Sequence, residues 1–470
     1  MKQFEIKNTE FSRHPVLDRH PLLFSAIQKK FSPDDELVFI KAPGRANLIG
    51  EHTDYNMGPV LPCAIDREVV ICLRHRTDPM VRVSNVDAAF EDVSFSLDAP
   101  IVPGEPGHWG NYIKAGTKGI LDYLLSARSI SGKLDGYDAL VSGSIPKAAG
   151  LSSSSALVVA AALAMVTCHG PEPDKTTIAD ICAEAEHFVG TAGGGMDQAA
   201  SLLGRENTLL RIDFGPLRVT PVPAPPEMRL VLFHSLVHAE KSGQARREYN
   251  RRVLECRMAM DLFNLHRDLP KPVNYIGQIT PEQTGVPKDK LDLLVCDFMQ
   301  TLPETVTFSE WLSMMGMDRN EWRQRQEELY PNGIEIPENN LHLRGRFRHV
   351  YKECKRVEQA VAALNKGDLH ALGKLLNESH LSLAQDYDVS VAQVDKLVIQ
   401  VLHNGALGAR IMGAGFGGVV LALTTAEYVD RLVEKTRSDF YRNRISPDAM
   451  GDYIIPCSIA GGAGIFNLCS

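Results

Sequence analysis

Residues 142–156 combine glycine, small and hydroxylated side chains directly ahead of an apolar segment. They read Ser-Gly-Ser-Ile-Pro-Lys-Ala-Ala-Gly-Leu-Ser-Ser-Ser-Ser-Ala, and Ser152 to Ser155 are favourable at the start of a helix. The unpaired N–H groups of a first helical turn and the helix dipole attract anions, so this segment can form a phosphate site. The serine hydroxyls could also ligate Mg²⁺. A plain core helix capped by serine fits these residues equally well.

A second stretch, residues 44–56, is rich in groups that donate and accept hydrogen bonds. It follows a predicted strand and reads Gly-Arg-Ala-Asn-Leu-Ile-Gly-Glu-His-Thr-Asp-Tyr-Asn. Such a cluster suits a ligand that carries several hydroxyl groups. The residues singled out here are Arg45, Glu51, His52, Asp54 and Tyr55.

Two acidic residues outside that stretch are also candidates for chemistry. Asp197 lies on the glycine-rich stretch Gly-Gly-Gly-Met-Asp-Gln at 193–198, and Glu186 precedes it on a predicted helix. An arginine beside a buried aspartate would keep the carboxylate ionised and oriented. A single acidic residue is more often a solvated or helix-capping group, but the three glycines argue against a purely surface role for Asp197.

Residues 413–418, Gly-Ala-Gly-Phe-Gly-Gly, match the G-x-G-x-x-G pattern of dinucleotide-binding folds. That pattern needs a helix after the loop, whereas Val-Val-Leu-Ala-Leu at 419–423 favours a strand. We therefore expect a glycine loop between two strands that packs against the phosphate loop, or simply a tight hairpin. His187, His349 and His380 fit packed or surface histidines better than metal ligands.

The elements that must position these residues are predicted strands and helices of mixed order. Predicted strands cover residues 37–40, 68–72, 80–84, 208–213, 229–234, 410–412 and 419–424, and the first should stop at 42–44. Predicted helices cover residues 111–125, 156–166, 249–265, 309–329 and 347–364. The segment 156–166 is apolar on nearly every face, so we expect a buried helix there.

A proline-rich stretch at residues 220–226 marks the expected boundary between two domains of mixed α and β structure. The predicted domains are residues 1–225, with the polar stretch and the phosphate loop, and residues 226–470. The second domain would contain a helical insertion at about 266–345.

Composition excludes several classes of protein. The 470 residues contain 50 Lys and Arg against 58 Asp and Glu, a net charge of -8, which argues against nucleic-acid binding by phosphate neutralisation. None of the nine cysteines forms a C-x-x-C pair, so we expect reduced thiols in an intracellular protein. The N-terminus lacks an apolar signal core, and the run at 156–166 is too short to span a bilayer. We expect a cytoplasmic protein with no membrane partner.

Taken together, the three loops resemble the GHMP kinase superfamily, and within it the galactokinase branch. Residues 44–56 are similar to the galactokinase signature, residues 142–156 resemble the phosphate loop of the superfamily, and residues 411–420 resemble its third motif. Further similar stretches are residues 190–201, 249–256 and 377–390. The resemblance implies an α+β, two-domain fold, with an N-terminal domain like domain 2 of ribosomal protein S5, a C-terminal ferredoxin-like domain and the active site between them.

The resemblance also implies ATP-dependent phosphorylation of a sugar at its anomeric hydroxyl. Asp197 would act as base or anionic partner of that hydroxyl, with Arg45 stabilising its charge, and Ser154 and Glu186 would be the candidates for binding Mg²⁺. The residues expected to contact the sugar are Arg45, Glu51, His52, Asp54, Gly194, Asp197 and Tyr249. Those expected to hold ATP are Trp109 at the adenine, and Gly150, Leu151, Ser152, Ser153, Ser154 and Ser155 at the phosphates. We expect a monomer whose partner is a small-molecule sugar.

The sequence departs from the commonest pattern of that branch at two places. Residues 147–150 are Lys-Ala-Ala-Gly where a glycine-richer run is usual in bacterial members, and Ala-Gly-Gly-Gly at 192–195 replaces Cys-Gly. The sugar could therefore be galactose, towards which Tyr249 leans, or N-acetylgalactosamine. A catalytically silent protein that binds sugar and ATP and contacts a regulator is the third alternative, but residues 150–156 are uninterrupted and Arg45 and Asp197 are present.

Overall fold

The structure is a computed structural model that describes residues 19–127, 129, 133–146, 150–170, 172–190, 193–238, 244–266, 269–329, 336 and 338–466. Residues 147–149 of the predicted phosphate loop lie outside the described residues, as does Ala192. No helix among the described residues is both long enough and apolar enough to cross a membrane.

The strands form two larger sheets and one hairpin within the described residues. In chain order they are β1 Val38–Asn47, β2 Pro62–His75, β3 Met80–Asn85, β4 Val93–Ser96, β5 Tyr137–Gly143, β6 Thr208–Asp213, β7 Arg218–Pro223, β8 Met228–His234, β9 Gly408–Met412, β10 Val419–Thr425, β11 Ile454–Cys457 and β12 Gly464–Phe466. The first sheet has the order β12-β1-β2-β5-β3-β4, the second has the order β11-β8-β10-β9, and β6 pairs with β7. Strand β12, near the end of the chain, therefore pairs with β1 of the first sheet.

The α-helices of the described residues lie before, between and after these strands. In chain order they are α1 Leu23–Lys30, α2 Gly110–Ser126, α3 Ser153–His169, α4 Lys175–Ala185, α5 Met196–Leu203, α6 Gln244–His266, α7 Pro281–Thr284, α8 Lys288–Thr301, α9 Phe308–Met315, α10 Arg319–Leu329, α11 Leu343–Asn365, α12 Leu369–Gln385, α13 Ala392–His403, α14 Val429–Thr436 and α15 Met450–Tyr453. Helix α3 is buried along nearly its whole length, as its apolar sequence predicts.

The insertion predicted at 266–345 contains helices α7 to α10. The single pattern at 309–329 forms two helices, because α9 ends with Gly316 in the left-handed conformation at its C-cap. Part of the proline-rich stretch forms strand β7, whose prolines pair across a hairpin with β6. The domain boundary at 225 stays a prediction.

The prediction that the first strand stops at 42–44 is wrong. Strand β1 runs on to Asn47, with an irregularity in its pairing with β2 between Pro43 and Arg45. Proline is tolerated at such a bulge, where no ladder hydrogen bond has to be donated. Arg45 therefore lies on a strand opposite Ala64, not on a loop.

Candidate active site

A cleft gathers residues from all three stretches singled out in the sequence. It encloses about 1020 Å³ of space outside protein atoms, part of it open to solvent. The predicted site residues that line it are Arg45, Glu51, His52, Asp54, Gly150, Ser154, Glu186, Gly194, Asp197 and Tyr249. Tyr55 and residues 413–416 also line it.

Arg45 and Asp197 form an ion pair in this cleft. Arg45 Nε donates to Asp197 Oδ1 at 2.8 Å, and Arg45 Nη1 donates to the carbonyl oxygen of Gly150 at 2.7 Å. Burial lowers the pKa of Arg45, but the carboxylates of Asp197 and Glu51 outweigh it, so the pKa is raised overall. The guanidinium is therefore a fixed positive charge that orients Asp197, which lies in the first turn of α5.

The start of helix α3 is tied to the acidic residues of the cleft by serine hydroxyls. Ser152 is the N-cap residue of α3 with φ +60°, and its hydroxyl donates to Asp197 instead of capping the helix. Ser155 Oγ donates to Glu186 Oε1 at 2.5 Å and lies 3.5 Å from Asp197 Oδ2. Ser153 is exposed, whereas Ser154 lines the cleft. The serines therefore lie at the start of the helix, as predicted. The hydroxyls of Ser152 and Ser155, however, donate to carboxylates.

The oxygen atoms at this end of the cleft are of the kind that Mg²⁺ prefers. Glu186 is buried beside Ser155, and Ser154 also lines the cleft. Mg²⁺ is usually bound through one or two carboxylates together with substrate phosphates and water. Among the described residues, no group of three His, Cys, Asp or Glu side chains is arranged to hold a metal ion. The residues present therefore fit a metal ion that arrives with a nucleotide.

The loop at residues 48–56, which we call the sugar loop because the sequence predicts that it binds a sugar, follows β1 and lines the opposite part of the cleft. Glu51 Oε2 accepts from Arg410 Nη2 at 2.6 Å, so its charge is compensated from strand β9. His52 Nδ1 lies 2.8 Å from Tyr55 Oη, which lies 2.6 Å from Tyr387 Oη. Burial is the main cause that lowers the pKa of His52 well below its usual value, so the ring is neutral. His52 Nε2 is buried and has no hydrogen-bond partner in the described part of the chain.

Asp54 faces the glycine turn that carries Asp197. Its Oδ2 accepts from the N–H of Gly194 at 3.2 Å. A Cβ atom on Gly194 would lie 2.3 Å from the nitrogen of Tyr55, so only glycine allows this approach. Burial, with the nearby charge of Asp197, raises the pKa of Asp54 to about 6. Asp54 therefore changes its charge in mildly acidic solution.

Tyr249 brings the C-terminal half of the chain to the same part of the cleft. It lies on helix α6, and its ring centroid is 5.8 Å from that of His52 and 5.5 Å from that of Tyr55. Burial, together with the charges of Asp54 and Asp197, raises the pKa of Tyr249 well above its usual value. The phenol therefore stays protonated and can donate a hydrogen bond.

The glycine loop at 413–418 connects two antiparallel strands, β9 and β10, as predicted. It packs against the phosphate loop, because a Cβ atom on Gly413 would lie 3.1 Å from the carbonyl oxygen of Gly150. The expectation of a hairpin that contacts the phosphate loop is confirmed. The strand that follows the loop excludes the dinucleotide-binding arrangement.

Trp109 lies at the N-cap of α2 and is not among the residues that line the cleft. It is buried, its Nε1 donates to the carbonyl oxygen of Glu91 at 2.8 Å, and it packs edge-on against Phe90. Its contact with an adenine ring stays a prediction. Tyr112, one helical turn further along α2, lines the cleft instead.

Sequence reasoning missed several residues that build the site. Tyr112 and Gln198 line the cleft. Arg410 and Tyr387 do not line it, but they form hydrogen bonds with the lining residues Glu51 and Tyr55. A signal for Arg410 was available, because an arginine inside an apolar strand needs a buried partner. Tyr387 lies in the stretch 377–390, which the resemblance includes, but no local pattern singles it out as a site residue.

Three family models match parts of this chain. The galactokinase galactose-binding signature matches residues 26–75, the N-terminal domain of GHMP kinases matches residues 111–205, and their C-terminal domain matches residues 360–442. These ranges contain the sugar loop, the serine-rich start of α3 and the glycine loop of the β9–β10 hairpin.

Relatives and solved structures agree with those matches. A galactokinase of Dictyostelium discoideum is 30% identical over 465 residues, which covers 92% of this chain and 90% of the relative. The crystal structure of Lactococcus lactis galactokinase complexed with galactose is 25% identical, with a TM-score of 0.71, and covers 94% of this chain and 99% of the other. The mevalonate kinase of Methanococcus jannaschii, 15% identical with a TM-score of 0.54, covers 90% of this chain and 98% of its own and shares the fold.

Proposed function

Since the chain belongs to the galactokinase family and has the two-domain GHMP kinase fold, we propose that it phosphorylates galactose with ATP. The product is galactose 1-phosphate, because the proposed acceptor is the anomeric hydroxyl. The observation that carries this proposal is the position of Asp197. Its carboxylate pairs with Arg45, accepts from Ser152 at the start of α3, and lies in the same cleft as the sugar loop.

In the proposed reaction, Asp197 accepts the proton of the anomeric hydroxyl as its oxygen attacks the γ-phosphorus. The bond between the γ-phosphorus and the β,γ-bridging oxygen breaks, and ADP leaves. Phosphoryl transfer depends on positioning and on charge neutralisation more than on covalent chemistry with the protein. Arg45 keeps Asp197 oriented, which meets the first requirement.

The phosphates would lie at the amino end of α3. The N–H groups of the first turn point towards that end, and with the helix dipole they favour negative charge there. Gly150 to Ser155 would surround the phosphates, and Trp109 would lie near the adenine. Mg²⁺, which would neutralise phosphate charge when bound, would be held by Glu186 and by Ser154 or Ser155.

The sugar hydroxyls would be bound by the opposite part of the cleft. Asp54 and Glu51 would supply acceptors. Tyr249 and the Nε2 of neutral His52, which has no hydrogen-bond partner among the described residues, would supply donors. A ligand with hydroxyl groups on several carbons needs both donors and acceptors around it. The loop and helix α6 together would supply both. Gly194, which lines the cleft, would contact the sugar beside Asp197.

A panel of sugars assayed by ADP release tests the proposal. Galactose is expected to give the highest kcat/KM, with N-acetylgalactosamine, glucose and mannose below it. A preference for N-acetylgalactosamine would make the chain an N-acetylgalactosamine kinase. Binding of galactose and ATP without ADP release from any sugar would instead support a silent regulatory protein.

A further inference from the structure

Helix α11 packs behind the sugar loop and presents three side chains to it. His349, Glu353 and Val357 are spaced by four residues, and residues at that spacing lie on one face of a helix. All three are buried, and each contacts residue 50 or residue 51 of the loop. None of them lines the cleft, so none has a place in the proposed reaction.

Glu353 binds the main chain of the loop. Its Oε1 accepts from the N–H of Gly50 at 3.0 Å and from that of Glu51 at 3.4 Å, and it also accepts from Ser379 Oγ at 2.7 Å. Its Oε2 accepts from Arg356 Nε at 2.6 Å. Burial works against ionisation, but the surrounding positive charge lowers the pKa of Glu353 to about 2. The carboxylate is therefore ionised, and hydrogen bonds to a buried charge are the strong ones.

His349 binds the same segment of the loop from one turn earlier on α11. Its Nε2 lies 3.1 Å from the carbonyl oxygen of Glu51, and its Nδ1 lies 2.9 Å from Ser382 Oγ. Because a carbonyl oxygen can only accept, Nε2 carries the proton. Burial lowers the pKa of His349 to about 4, so the ring is neutral. Glu353 and His349 thus fix both the N–H and the C=O of Glu51.

The backbone that these side chains hold has an unusual conformation. A Cβ atom on Gly50, whose φ is +97°, would lie 2.8 Å from the Cα of Val60 and 3.0 Å from Val357 Cγ2. His52 has φ +62°, in the left-handed region that residues with a side chain rarely adopt. Such conformations persist where the surrounding structure over-determines them. The contacts from α11 supply that restraint immediately before His52 and Asp54.

We propose that Glu353 and His349 are positioning residues that hold the sugar loop in its binding conformation. The inference rests on the proposed function in one respect, which is that the loop faces a sugar. It predicts that loss of either side chain weakens sugar binding while ATP binding stays close to normal, because neither residue bonds to the start of α3.

The test compares binding of galactose alone and of ATP alone to the full chain by titration calorimetry. Glu353→Ala removes the acceptor, Glu353→Gln keeps a neutral one, and His349→Leu removes the donor to Glu51. Glu358→Gln is the matched control, since Glu358 lies on the same helix but is exposed and pairs with Arg211.

We expect Glu353→Ala to raise the Kd for galactose by roughly tenfold or more. Glu353→Gln should raise this Kd by less than Glu353→Ala does. His349→Leu should raise the Kd for galactose by about threefold to tenfold. The Kd for ATP should stay within about twofold in all three. If Glu353→Ala does not accumulate as folded protein, Glu353→Gln and His349→Leu decide the matter.

Unchanged galactose binding in the variants would overturn the inference, and so would an equal loss for galactose and ATP, which would indicate a general structural role. In both cases normal turnover by the wild-type chain would leave the proposed function intact. A wild-type chain that binds neither galactose nor N-acetylgalactosamine would overturn both.

Discussion

The parts of the cleft that we propose bind the phosphates and the sugar, called the phosphate part and the sugar part, are assembled over very different distances along the chain. Gly150 and Ser152 to Ser155 form one short run at the start of α3. The sugar loop is held by side chains far along the sequence, since Gly50 and Glu353 are 303 residues apart and Glu51 and Arg410 are 359 apart. The phosphate part therefore depends on local helix geometry, whereas the sugar part depends on how the two halves of the chain pack.

Asp197 joins the two parts, and this makes the comparison testable. It contacts Arg45 of strand β1 and Ser152 at the start of α3, and its glycine turn contacts Asp54 of the sugar loop. Substitutions at the junction should abolish turnover. Substitutions in the phosphate part should change the metal requirement, and those in the sugar part should change sugar affinity.

The largest effect is expected at the junction. Asp197→Asn removes the proton acceptor and should lower kcat by about 10²- to 10⁴-fold, while the Kd for galactose changes by less than about fivefold. Rapid-quench turnover and calorimetry measure the two quantities, and Asp98→Asn, an exposed aspartate outside the cleft, is the control. Turnover close to normal would remove Asp197 from the chemistry.

A change confined to the phosphate part should be smaller and specific to the metal. Glu186→Gln removes the charge of the proposed Mg²⁺ ligand and should raise the Mg²⁺ concentration for half-maximal rate by about tenfold, with galactose affinity unchanged. A titration of rate against Mg²⁺ at saturating ATP measures this. An identical Mg²⁺ curve for the variant and the wild type would take Glu186 out of the metal site.

The sugar part should also respond to pH through Asp54. Its raised pKa of about 6 means that the carboxylate becomes protonated below that pH, so that it loses its negative charge and is a weaker acceptor. Galactose affinity should therefore rise with pH through about 6 and level off above, a change of up to about tenfold between pH 5 and pH 7. In Asp54→Asn the affinity should be weaker and independent of pH. A wild-type curve that is equally flat would contradict this role.

The smallest effect is expected from loss of one neutral hydrogen bond to the sugar. Tyr249→Phe keeps the ring packing against His52 and Tyr55 and should raise the KM for galactose by about threefold to tenfold. The KM for ATP should not change. Tyr123→Phe, on the exposed face of α2, is the control. If the KM for ATP rose more than the KM for galactose, Tyr249 would belong to the phosphate part of the cleft, which would contradict its proposed role.

The contrast between local and long-range assembly also explains which features could be predicted from the sequence. The start of α3, its burial and the hairpin around residues 413–418 follow from local patterns, since serine caps, apolar faces and glycine loops act over a few residues. The end of β1 was predicted wrongly, because pairing with β2 overrides the local signal of Pro43 and Gly44.

The two residues of α11 that hold the sugar loop could not be assigned in advance. Glu353 and His349 look like ordinary members of an amphipathic helix, and their role depends on which backbone groups the fold places opposite them. For Ser152 the sequence predicts the position correctly but not the contact that its side chain makes. It is placed as an N-cap, yet its hydroxyl is taken by Asp197, which lies 45 residues further along the chain.

A crystal structure of the complete chain with galactose and a non-hydrolysable ATP analogue tests the central claim most directly. We predict that the anomeric hydroxyl lies within about 3 Å of a carboxylate oxygen of Asp197 and faces the γ-phosphate at the start of α3. A sugar whose anomeric hydroxyl points away from Asp197, or a nucleotide bound too far away to transfer a phosphoryl group to it, would contradict the account.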